Sequence, residues 1–216
     1  MAEKKETAKI TGSVFIFLDD ERRVNPDGCF KAEVAEEKIT LITVPIRKYE
    51  NMLDQSRHPE ERLHAMEMLH EEIIGKIPEG NLPYLLGYDI GAYIGATLFF
   101  KQPDLFRGGI FLSGLYQIQD ILKDYRSDKA YLNSPVEFLA NLENADAFRC
   151  FLRSKLIFMT GRGEGTELAN NSLHHLDNVL LKRSIPAFID YWGYDVTNAP
   201  VWWEKQFKYG AKLILR

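Results

Sequence analysis

Short apolar runs alternate along the chain with stretches of helical period. The runs are Val14–Leu18, Ile39–Val44, Tyr84–Leu86, Gly109–Leu112, Leu156–Met159 and Ala187–Tyr191. Runs this short and this continuously apolar predict strands covered on both faces, as in a parallel sheet. Between them, Leu63, Met66, His70, Ile73, Ile74 and Ile77 fall on one helical stripe. Ala92, Gly95, Ala96 and Phe99 put small residues on one face of a second helix, which lets it lie close to a sheet. A third helix is predicted over 167–182, with Leu168, Leu176, Val179 and Leu180 facing inward. A fourth begins at Pro200, because proline suits a first helical turn. Asn133-Ser134-Pro135 predicts a turn into a short helix, and 141–146 a loop. The alternation predicts an α/β protein, with a mostly parallel sheet and helices on both faces.

Composition narrows the class. The 216 residues are 45% hydrophobic and 27% charged, the balance of a soluble globular chain and not of a disordered or low-complexity one. No repeat or linker divides the sequence. Residues 10–216 are therefore expected to form one domain behind a mobile tail of residues 1–9. Lys and Arg number 27 against 31 Asp and Glu, a net charge of -4, which lacks the basic footprint of a nucleic-acid binder. Cys29 and Cys150 are too few for a disulfide framework and are expected as reduced thiols. No stretch approaches the ~20 apolar residues of a membrane span, and Met1–Lys9 is charged, unlike a signal peptide. The expectation is a cytoplasmic protein with no cofactor, whose partner is a small-molecule ligand and neither nucleic acid nor membrane.

Candidate chemistry lies in Leu86-Gly87-Tyr88-Asp89-Ile90-Gly91-Ala92, between a predicted strand and a predicted helix. Two glycines, each two residues from a central polar residue, make the layout of a nucleophile elbow, normally G-x-S-x-G. The glycines permit the tight turn and leave room around the central side chain. Further phrases follow in order: Gln102-Pro103-Asp104-Leu105-Phe106, Ser113-Gly114, Asn133-Ser134-Pro135, Gly161-Arg162-Gly163-Glu164, and Asp190 to Val196 followed by Trp202-Trp203. From Ser13 onward the sequence resembles the esterases of the α/β-hydrolase family that are esterase D-like and feruloyl-esterase-like. The resemblance implies an α/β-hydrolase fold with no large cap domain. It also implies a serine–histidine–acid site, with the nucleophile position at Asp89, the histidine position at Asn198, and the acid position near Glu164 to Glu167, which Glu167 could fill.

Two of these positions depart from the family. A serine hydrolase needs a hydroxyl nucleophile and an imidazole that takes and returns its proton. Asp89 supplies no hydroxyl, Asn198 has no titratable group near neutrality, and no histidine follows His175. Losing serine or histidine alone costs on the order of 10⁶ in turnover in a well-studied protease. The loop after the first strand reads Asp19-Asp20-Glu21, and acids there oppose a developing oxyanion. The expected pocket residues are Asp19, Asp20, Tyr88, Ile90 and Trp202.

Three readings follow. The favoured one is a degenerate esterase homologue, inactive as a serine esterase, whose role is binding or assembly. A second is a hydrolase in which the Asp89 carboxylate is the nucleophile and forms an ester intermediate. A third is a divalent-cation site built from Asp19, Asp20, Glu21 and Asp89. Against all three, Asp89 could simply cap its helix. His174 and His175 are adjacent, a spacing that does not aim both at one metal. Trp192, Trp202 and Trp203 suit the packing of the last helix, or alternatively an aromatic wall for a ligand.

Overall fold

Each of the six predicted strands forms, and they hydrogen-bond into one parallel sheet of order β2-β1-β3-β4-β5-β6. The computed structural model describes residues 12–19 and 23–216. The expected tail of residues 1–9, together with Asp20 and Glu21, therefore lies outside the described residues. In chain order the elements are β1 (Ser13–Asp19), α1 (Pro26–Cys29), α2 (Lys31–Ala35), β2 (Ile39–Pro45), α3 (Pro59–Ile74), β3 (Tyr84–Tyr88), α4 (Ile90–Lys101) and β4 (Gly108–Leu112). Then come α5 (Gln119–Leu122), α6 (Asp128–Leu132), α7 (Pro135–Ala140), α8 (Ala145–Arg153), β5 (Lys155–Thr160), α9 (Glu167–Lys182), β6 (Phe188–Tyr191) and α10 (Pro200–Ile214). Short 3-10 segments follow β2 and α4.

The alternation of side chains along each strand divides the core into two layers. Ile16, Leu18, Leu85, Phe111, Leu156 and Phe158 pack with α3, α4, α7 and α9 on one face. Phe15, Phe17, Leu86, Tyr88, Ile110 and Met159 pack on the other with Phe30 and with Trp203, Phe207 and Ala211 of α10. Both faces being covered explains why the strands read as unbroken apolar runs. No helix among the described residues is long and apolar enough to cross a membrane.

Strand order locates the crevice. The chain moves outward from β1 to β2, then returns across β1 to β3. In open α/β sheets the opening lies outside the carboxyl ends of the strands where the order reverses. Here that is between the ends of β1 and β3, where Arg23 meets the turn at Asp89.

Several local expectations need correction. Leu168 is 70% exposed. Residues spaced by four drift about 40° per step around a helix, so Leu168 cannot share the inward face of Leu180. The inward stripe is Ala169, Ser172, Leu173, Leu176 and Leu180. Residues 145 and 146 are the first turn of α8 and not loop, with the Asn144 side chain accepting from Asp146 N and Ala147 N at 3.0 and 3.1 Å. The short helices α1, α2, α5 and α6 were not predicted.

Candidate active site

The elbow forms as the glycine spacing predicts. Asp89 has φ 51° and ψ -122°, a left-handed backbone at a non-glycine residue. Such conformations cost on the order of 1–3 kcal/mol and persist where the surroundings impose them. Three constraints act here. The Asp89 N–H donates to Leu112 O at 2.8 Å, tying the turn to β4. A Cβ on Gly87 would run into the Gly91 carbonyl and would meet Ala92 N at 2.7 Å. A Cβ on Gly91 would meet Leu18 O at 2.9 Å. The two glycines thus let α4 cross its own strand and press against β1.

The Asp89 carboxylate does not cap α4: the side chain makes no capping hydrogen bond. It pairs instead with Arg23, Nη2 to Oδ2 at 3.4 Å, both side chains partly exposed. The Arg23 guanidinium stands over the rings of Tyr88 and Trp203, at 5.7 and 5.5 Å from their centroids. Those two rings are themselves 4.6 Å apart, and Trp203 Nε1 donates to Ser113 Oγ at 3.2 Å. The loop after β1 therefore brings a cation to Asp89.

Asp89 lines a cavity of about 360 Å³ with Arg23, Ile90, Arg62, Tyr93 and Asp120 among its walls. Of the pocket residues expected from sequence, Ile90 stands here. Asp19 lines a different cavity, with Asn25 and Asp27, and accepts from Tyr88 Oη at 3.4 Å. Tyr88 is fully buried beneath the elbow. Trp202 is half-buried with Lys205 Nζ 4.1 Å above its ring, while its neighbour Trp203 is the tryptophan that packs under Arg23. Asp20 lies outside the described residues. Arg62 was not expected, since a charged residue beside an apolar stripe gives no sign that it will be buried.

Asn198 stands on the loop after β6, as expected, while Glu167 is the first residue of α9 and not part of a loop; both lie at the carboxyl edge that also carries Asp89. The structure joins them through one residue, Gly165. Asn198 Nδ2 donates to Gly165 O at 3.2 Å, and Gly165 N donates to Glu167 Oε1 at 3.4 Å. The same two loops are linked by Gly163 N to Val196 O at 2.9 Å and Arg162 N to Gly193 O at 3.2 Å. Asn198 thus serves as a loop clamp. The histidines stand elsewhere: His174 stacks on Tyr191, with Nδ1 3.0 Å from its hydroxyl, and His175 Nδ1 is 2.8 Å from Gln117 Nε2. Among the described residues, no group of three or more His, Cys, Asp or Glu side chains is placed to hold a metal ion.

The strand order, the covered faces and the elbow at the end of β3 together define an α/β-hydrolase fold. No family model and no curated protein matches the sequence. Solved structures do match the fold. An S-formylglutathione hydrolase from Agrobacterium tumefaciens superposes with a TM-score of 0.64 at 11% identity, over 93% of this chain and 84% of that one. An S-formylglutathione hydrolase from Staphylococcus aureus gives 0.57 at 16% identity, over 97% and 84%. A ferulic acid esterase gives 0.59 at 14% identity, over 94% and 86%. Identities this low establish the fold alone, that of the α/β-hydrolases.

Proposed function

We propose that this chain is an esterase-like α/β-hydrolase that has lost serine-esterase catalysis and uses the cavity beside Asp89 to bind a small molecule. One observation carries the reading: the nucleophile position holds a carboxylate paired with Arg23, and the histidine position holds an amide committed to Gly165 O. No hydroxyl–imidazole pair stands there to transfer a proton. Proline, glycine and apolar packing preserve the scaffold while the chemistry is replaced.

The test is hydrolysis of an activated aryl acetate by wild type, Asp89→Ser, Asn198→His and the double variant, each first shown to be folded. Wild type is expected near the uncatalysed background. Asp89→Ser gains almost nothing, since a hydroxyl without a base is a poor nucleophile. Asn198→His gains nothing while Asp89 remains. The double variant shows weak turnover at most, because triad members act as a unit. Wild-type turnover near an ordinary enzyme rate of about 10 s⁻¹, abolished by Asp89→Ala, would replace this reading with an Asp89 nucleophile.

A further inference from the structure

We infer that the cavity beside Asp89 is a binding site for a small organic carboxylate, with Arg62 as the residue that recognises the anionic group. The inference rests on the ligand-site reading above and adds the class of ligand. Arg62 lies on α3 and is only 5% exposed, the one buried Lys or Arg among the described residues. Its Nε donates to Met52 O at 2.9 Å and its Nη2 to Ile121 O at 3.1 Å. Both acceptors are neutral carbonyls, and no carboxylate among the described residues forms an ion pair with it. A guanidinium carries five N–H donors in a fixed fork; these two bonds use Nε and Nη2, and Arg62 lines the cavity.

A buried charge is normally paired. Burial lowers the Arg62 pKa, and Asp54 and Tyr93 offset this only through longer-range attraction. The other charges around the cavity are already engaged. Arg23 and Asp89 pair with each other. Asp120, at the exposed rim, interacts with Ser172, His175 and Gln117, and desolvation of its inner side raises its pKa. A ligand carboxylate is the missing counter-ion, and a guanidinium binds it through parallel N–H bonds. Ile90, Tyr93, Leu115 and Ile121 present apolar surface to the rest of such a molecule, and about 360 Å³ holds a single small one.

The experiment titrates benzoate, phenylacetate and hexanoate, each against its uncharged amide, into wild-type protein by calorimetry at low salt. At least one acid is expected to bind, with its amide at least tenfold weaker. Leu115→Trp, which fills the cavity, should abolish that binding. Arg62→Lys keeps the charge but loses the fork and should weaken the acid several-fold while leaving the amide unchanged. Because Arg62 also holds two backbone carbonyls, its variant is checked for folding, and the acid–amide comparison in wild type stands without it. Equal binding of acid and amide, or no binding of any acid, overturns the carboxylate assignment. So does an acid preference lost in Arg23→Ala and kept in Arg62→Lys. Amide binding that Leu115→Trp abolishes would leave the ligand-site reading standing. Ester turnover would overturn that reading without touching acid binding.

Discussion

The turn at Asp89 was legible in the sequence, because the glycines on either side of it fix a strand-to-helix elbow there. What the Asp89 side chain does there was not legible. The Asp89–Arg23 pair is partly exposed and is worth about 0–1 kcal/mol, too little to hold Asp89 in its strained conformation. The glycines and the bond to Leu112 do that. Arg23 and Arg62 act through neighbours 66 and 59 residues away in sequence, and local patterning carries no such information. His70 stands on the apolar stripe of α3. It is buried, with Nε2 lacking a partner. Burial first, and then the charge of Lys101, push its pKa down to about 3. His70 is therefore neutral when folded, while the unfolded chain takes up a proton below about pH 6.5. Its contribution is fully present above that pH and is lost as pH falls toward 3. At about pH 4.5 the loss is roughly 2–3 kcal/mol. Urea unfolding of wild type and His70→Leu at about pH 7 and 4.5 should show a smaller acid loss in the variant. Equal losses would place the imidazole in contact with solvent.

The long elements were readable and the short ones were not. α3, α4 and α9, with 16, 12 and 16 residues, carry their own patterning over several turns. α1, α2, α5 and α6 have 4 or 5 residues each, about one turn, and depend on caps such as Asn25 and Ser127 and on packing. The strand–turn–helix unit of β3 and α4 depends most on a single position. A methyl at Gly87 meets backbone, which cannot turn aside as a flexible side chain would. Gly87→Ala should destabilise the protein by about 2 kcal/mol or more, read as a lowered urea midpoint with unchanged slope. A loss under about 0.5 kcal/mol, the range of neutral surface changes, would mean that α4 does not cross β3 as closely as described.

At the scale of the whole molecule, parallel pairing puts every β-to-α loop on one edge, and the return from β2 to β3 opens the crevice there. The fold class was legible from alternation alone. The cavity was not, because it draws on α3, the loops after β1 and β4, and the start of α4. Of the expected pocket residues, Asp19 and Tyr88 belong to the opposite layer of the sheet, one residue out of phase with Leu18 and Asp89. The central claim is that this hydrolase scaffold presents a carboxylate at its elbow and performs no covalent chemistry with it. The most direct test is release of 4-nitrophenolate from excess 4-nitrophenyl acetate by wild type and Asp89→Ala, with hydroxylamine present to trap an acyl-aspartate, a mixed anhydride that water would otherwise remove, followed by peptide mapping. The account predicts equal background release from both proteins and no hydroxamate on the peptide containing Asp89. Release above background that Asp89→Ala abolishes, or a hydroxamate on that peptide, would contradict it.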